Sequence, residues 1–141
     1  MRILVVNDLL QGGGVEKLMY DVVMRLRQQH EVAILTDKRD ADFDKVYPAD
    51  VKYFYQMEEE YPKGKNRLER KLIARKRART EQELKDTIRK MDFDVLLCMK
   101  ESWIMWMAVT YGEYIPKRVA WVHTDYKKSY YTKEWYTPEE E

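Results

Sequence analysis

The chain has one cysteine among its 141 residues, so it can form no internal disulfide. Cys98 lies in the apolar run "DVLLCM" and reads as a small core hydrophobe rather than a catalytic thiol. Long hydrophobic stretches are also missing: nothing approaches the roughly 18 consecutive apolar residues of a membrane span. Met1 leads straight into a strand-like run, without the basic start, long apolar middle and small-residue cleavage site of a signal peptide, and the expected location is the cytoplasm. Neither sign of charge dominates, since 26 Lys and Arg face 25 Asp and Glu, and the formal net charge of +1 conceals strong local patterning. Glycine is scarce at five residues, yet three of them are consecutive, Gly12 to Gly14. Glycine gives up the most conformational freedom on folding, so three together suggest a loop with unusual backbone angles or close approach by another group. A chain of this length makes about one domain, with too little left over for a second sizeable one.

What is present reads as alternating strands and helices. Arg2 to Val6 form a continuous aliphatic run, the pattern of a strand buried on both faces of a parallel sheet. Val15, Leu18, Met19, Val22, Val23 and Leu26 follow the i, i+3, i+4, i+7 rule of a helix with one apolar face. "HEVAILT" supplies a second strand and "VKYFYQ" a weaker third. From Asn66 to Met91 the pattern is helical, and Thr80 with Glu83 forms a capping-box signature that predicts either two helices or one bent one. "DFDVLLCM" gives another buried strand, "SWIMWMAVTYG" an apolar helix ending at Gly112, and "PKRVAWVH" a last strand. This order predicts an α/β fold, Rossmann-like, with a mostly parallel sheet and helices on both faces. The chain stops soon after a strand, with a ragged tail ending "TPEEE", and so reads as cut.

The glycine loop joins the first strand to the first helix, where backbone N–H groups and the helix N-terminus can face a phosphate or a sugar hydroxyl; a plain tight turn is the competing reading. It is not a dinucleotide fingerprint. Gly12 and Gly14 match the first two positions of G-x-G-x-x-G, but Lys17 occupies the third. Asp37, at the end of the second strand, keeps a nicotinamide-dependent oxidoreductase as a third-ranked reading. A phosphate-cradling P-loop is excluded because no Gly-Lys-Ser/Thr follows.

The segment "KGKNRLERKLIARKRAR" carries nine basic residues between Lys63 and Arg79 against the single acid Glu69. Apolar Leu68, Leu72, Ile73, Ala74 and Ala78 interleave with them, as on a helix that meets anionic lipid headgroups, with Arg70, Lys71, Arg75, Lys76, Arg77 and Arg79 as the contact residues. A solvated face balanced by Glu58 to Glu60 is the other main reading. Nucleic acid is not expected as a partner, since only Tyr61 is near and no nucleic-acid-binding motif accompanies the run.

In open parallel sheets ligands bind beyond the carboxyl ends of the strands, so His123, at the end of the last strand, should share one rim with the glycine loop. An uncharged imidazole there can bond a sugar hydroxyl, and Asp125 is near enough in sequence to orient it. Lys100 and Glu101 end the preceding strand on the same rim, and Ser102 is read as the cap of the helix that follows. Trp103, Trp106 and Met107 fit helical spacing and are expected in the core, while Trp121 suits either the core or a sugar-stacking platform. His30, at a helix C-terminus, has a structural reading.

"MRILVVNDLLQGGGVEKLMYDVVMRL", "MDFDVLLCMKES" and "RVAWVHTDY" resemble, in order and approximate spacing, the N-terminal Rossmann-like domain of family 4 glycosyltransferases. The resemblance covers most of residues 1–126, leaving 127–141 as a tail or connection. It implies one half of a two-domain GT-B enzyme, a retaining transferase that moves a sugar, of the hexosyl type, from a nucleotide-sugar donor to a glycan or lipid-linked saccharide in polysaccharide or glycoconjugate synthesis. By position, Gly13 and Gly14 match the glycine turn that approaches the donor diphosphate or the acceptor, and His123 matches the histidine that contacts the transferred sugar. The family resemblance implies no metal and no cofactor beyond the donor. The donor-binding domain lies outside these residues, so the chain alone is expected to be inactive and to need that domain or a partner chain. The basic stretch would dock it peripherally on the inner face of the membrane. A stand-alone module that binds a membrane surface or a catalytic subunit is the runner-up.

Overall fold

The computed structural model describes residues 1–8, 13–39, 46–57, 60–101 and 103–123. Among them the chain runs β1 (Arg2–Val6), α1 (Gly14–Leu26), β2 (Glu31–Lys38), β3 (Lys52–Met57), α2 (Arg67–Lys90), β4 (Val95–Cys98), α3 (Trp103–Tyr111) and β5 (Lys117–Ala120). The five strands form one sheet in the order β3-β2-β1-β4-β5, and every pairing is parallel. The chain builds outward from β1 to β3, then returns across β1 to place β4 and β5 on the other side. The winding therefore reverses between β1 and β4, the place where a crevice opens at the carboxyl edge of such sheets.

Period-two alternation along β1 divides the core into two layers. Leu4 and Val6 pack with Leu35, Leu96, Ile88, Ile104 and Met107 under α2 and α3. Ile3 and Val5 pack with Val32, Ile34, Met19 and Val23 under α1. Helices thus cover both faces, as the near-continuous apolar strands require. The amino edge is closed by Arg2, whose guanidinium donates to Glu31 at 2.9 Å and to the Met91 carbonyl at 2.9 Å. Its backbone N–H donates to Asp94 at 2.7 Å.

One open alternative is settled and one expectation needs correction. The stretch from Asn66 to Met91 is a single 24-residue helix, capped by the Asn66 side chain on the Glu69 N–H at 2.8 Å. Thr80 does not start a second helix: its hydroxyl donates to the Lys76 carbonyl one turn back at 3.0 Å, a bond available only inside an existing helix. The α3 tryptophans are also not core. Ile104, Met107, Ala108 and Tyr111 form the stripe against the sheet, whereas Trp103 and Trp106 lie off it and are 43% and 55% exposed. The helix is apolar all round, so its sequence does not mark which side turns inward. Gly112 ends α3 where a Cβ would strike the Ala108 carbonyl and Leu96, which accounts for the glycine there.

Candidate active site at the carboxyl edge

The ladders continue past the strand ends and hold three short segments side by side. Asn7 donates its N–H to Leu35, Met99 to Val6 and Trp121 to Cys98, at 3.1, 3.0 and 2.8 Å. These bonds bring Asn7 and Asp8 after β1, Met99 to Glu101 after β4, and Trp121 to His123 after β5 onto one rim. The first turn of α1 starts on the same rim. Its N-cap, Gly13, has φ −96° and ψ −179°, extended backbone that any residue adopts, so the expectation of unusual angles does not hold at this position. Packing does not require the glycines either: a Cβ on Gly13 would meet only the far end of the flexible Glu16 side chain, which can swing aside, and among the described residues nothing lies within 4 Å of one on Gly14. Among the described residues no side chain caps this helix end, which carries the first N–H groups and the positive end of the helix dipole.

His123 is held at three points. Its backbone N–H donates to Glu101 Oε2 at 3.2 Å, and its ring Nε2–H donates to the Met99 carbonyl at 2.8 Å. The ring stacks on Trp121 with centroids 5.7 Å apart and planes within 9°. A carbonyl only accepts, so Nε2 carries a proton, and Nδ1 is the acceptor whenever the ring is uncharged. Trp121, 41% exposed, serves as the platform for this imidazole rather than as core.

Lys100 reaches back across the switch point to Asp8, Nζ to Oδ2 at 3.0 Å. The hydrogen bond to Asp8 raises the lysine above its ordinary range against the opposing cost of burial, and the Asp8, Glu16 and Glu101 carboxylates add to the rise. The ammonium is a fixed cation that ties the end of β1 to the end of β4. Cys98 lies beneath, 2% exposed, with its thiol pushed up by burial, which agrees with a core role and opposes a reactive thiolate.

Asn7 is fully buried, and neither its Nδ2 nor its Oδ1 has a partner among the described residues. By alternation it follows Ile3 and Val5 onto the α1 side of the sheet, beneath the start of that helix. Asp8 likewise leaves Oδ1 buried and unpartnered. Asn7, Asp8 and Glu16 were not singled out from the sequence, although "VVND", two polar residues directly after an apolar strand, was the available signal. Gly12, Ser102 and Asp125 lie outside the described residues. Asp37 lies inside β2, one residue before its end. Arg70, Lys71, Arg75, Lys76, Arg77 and Arg79 are all exposed, within residues 67–79 of α2. His30 sits just after α1, its N–H bonded to the Leu26 carbonyl at 2.9 Å.

None of the curated proteins matches this chain. The family Glycosyltransferase Family 4 matches it over residues 12–139, a span that takes in α1, the rim after β4 and His123. With a Rossmann-like sheet whose first helix and His123 lie on the same carboxyl edge, the chain belongs to glycosyltransferase family 4 as an N-terminal domain of that family.

Proposed function

We propose that this chain is the acceptor-side half of a retaining GT-B glycosyltransferase that moves a hexosyl group from a nucleotide-sugar donor to a glycan or lipid-linked saccharide. The observation that carries the reading is the fixed imidazole. With Nε2–H committed to the Met99 carbonyl, Nδ1 of His123 is the atom that accepts a hydrogen bond from a hydroxyl of the transferred sugar. Glu101 and Trp121 set the position and plane of the ring, so the acceptor atom needs no reorganisation when the sugar arrives.

The uncapped start of α1, behind Gly12, Gly13 and Gly14, offers backbone N–H groups to a diphosphate or an acceptor oxygen. Lys100, held by Asp8, and the carboxylates of Glu101 and Asp125 offer a donor and acceptors for saccharide hydroxyls. Charge on the leaving diphosphate is stabilised by these groups together with those of a donor-binding domain, without a metal ion or a further cofactor. Turnover requires that second domain as well as this one.

The test is His123→Ala in the full-length protein, assayed for transfer or donor hydrolysis with a panel of UDP- and GDP-linked hexoses. A fall in turnover of about tenfold or more, equivalent to about 1.4 kcal/mol of transition-state stabilisation, is expected. Unchanged kinetics would remove His123 from the reaction centre.

A further inference from the structure

Helix α2 is longer than the sheet it packs on. Its 24 residues extend about 36 Å, whereas strands of four to eight residues cover about 13–26 Å. Its last turns are pinned, with Ile88 buried and Leu84 and Met91 packed on the core. It joins the end of β3 to the start of β4 and so runs against the parallel strands. The surplus length therefore rises at the carboxyl edge, the same end of the molecule as the glycine turn and His123. From Arg67 to Arg79 every residue but Ile73 is exposed.

At 100° per residue this projecting half has two unlike sides. Toward the body, Ile73 lies on the seam of Leu84 and Ile88, Arg77 covers the Tyr61 ring at 5.6 Å, and Arg70 packs against Gly64. On the opposite side Leu68, Leu72, Arg75 and Arg79 fall within one narrow stripe, flanked by Lys71 and Lys76. The two leucines are 68% and 55% exposed. Of the acids that would balance these cations, Glu60 binds Lys38 at 2.6 Å and Glu69 accepts the Lys65 N–H at 2.8 Å, while Glu58 and Glu59 lie outside the described residues. Arg79 alone among the stripe and its flanks has an acidic partner among the described residues, Glu83 at 3.0 Å, in a fully solvated pair.

We propose that the outward stripe of Leu68, Leu72, Arg75 and Arg79, with Lys71 and Lys76 beside it, docks on an anionic lipid bilayer. The cations meet the headgroups while the leucines enter the boundary with the acyl chains, the division of labour of an interfacial amphipathic helix. Docking there turns the carboxyl edge of the sheet toward the membrane. No helix among the described residues is long and apolar enough to cross a membrane, so the contact is peripheral. The proposal is independent of the transfer reaction and is read without activity. A nucleic acid would use the cations and ignore the leucines.

The experiment is co-sedimentation of the full chain with vesicles of phosphatidylcholine and phosphatidylglycerol in equal parts, against vesicles of phosphatidylcholine alone. Pelleting with the anionic vesicles only, weakening as salt is raised, is expected. Each outward cation removed should lower partitioning about fivefold at low salt, so Arg75→Ser with Arg79→Ser costs about 25-fold. Arg70→Ser with Arg77→Ser, on the inward side, should cost clearly less than that outward pair. Leu68→Ser with Leu72→Ser should cost about tenfold or more. All these positions are exposed, and circular dichroism checks that each variant stays folded. The proposal is overturned by failure to pellet with anionic vesicles at low salt, by equal pelleting with neutral ones, or by leucine substitutions that change nothing. Retention on a single-stranded oligonucleotide without vesicle binding would assign the cations to nucleic acid and also overturn it.

Discussion

Asn7 carries a prediction in which stability and function move in opposite directions. Its amide is fully buried at the end of β1 with both polar atoms unpartnered among the described residues. A buried polar group left without a partner costs about 1–3 kcal/mol. Asn7→Leu removes both atoms at nearly constant shape, offset by up to about 1 kcal/mol for the tighter fit. The net expectation is a gain of about 2 kcal/mol, which at a urea slope of about 2 kcal/mol/M moves the unfolding midpoint up by about 1 M. Asn7→Asp should do the reverse near neutral pH, since it places a carboxylate where an uncharged amide already lacks partners. Urea unfolding followed by circular dichroism reads both variants. In the full-length protein, Asn7→Leu should also lower turnover with whichever donor of the UDP- and GDP-hexose panel supports transfer, because the amide is then unavailable to a ligand at the carboxyl edge. A midpoint that falls for Asn7→Leu would refute the reasoning: the amide would be bonded within the folded chain and not held in reserve for a ligand.

Two further outcomes follow from packing and titration. Ile104 is fully buried against the sheet, so Ile104→Ala should destabilise the fold by about 2–5 kcal/mol through lost burial and the cavity left behind, with Trp106→Ala as a milder, half-exposed control. A loss within 1 kcal/mol of that control would place α3 differently on the sheet. Tyr111 is 4% exposed, and burial, with the Glu81 carboxylate nearby, pushes its hydroxyl from the ordinary 10.0 up to about 12. The unfolded phenol loses its proton near 10 while the folded one keeps it, so stability is unaffected below that pH. Between about 10 and 12 it falls by up to about 1.4 kcal/mol per pH unit. Tyr111→Phe should flatten that alkaline limb in urea titrations; an unchanged slope would exclude Tyr111 as its source. Tyr47, raised in the same direction by burial, contributes to what remains.

Much of this architecture was legible in the residues. A short, β-branched apolar run at β1 reads as a strand covered on both faces, and the spacing of Met19 and Val23 gives α1 one apolar side to pack on it. With "DVLLCM" and "KRVA" following, the alternation left a parallel α/β sheet as the consistent answer, and the wholly parallel pairing bears it out. His123 and the glycine turn could be assigned to a common rim because parallel strands all end on the same side. Local patterns determined this much, since hydrophobic periodicity reports which side of an element is wet.

Tertiary structure alone decided what periodicity does not encode. The orientation of α3, apolar on all sides, was set by which stripe met the sheet, and Trp103 and Trp106 were left in solvent. The hydroxyl of Thr80 could cap a helix or bond within one, and the continuous packing of Leu84 and Ile88 selected the second. The tautomer of His123 depends on a carbonyl 24 residues away, and the partner of Lys100 lies 92 residues back. The two sides of α2 separate only because its last turns are anchored and its first turns outrun the strands. Each of these is a contact between segments distant in the chain, whose relative placement comes from the order in which the strands pair rather than from any local run of residues.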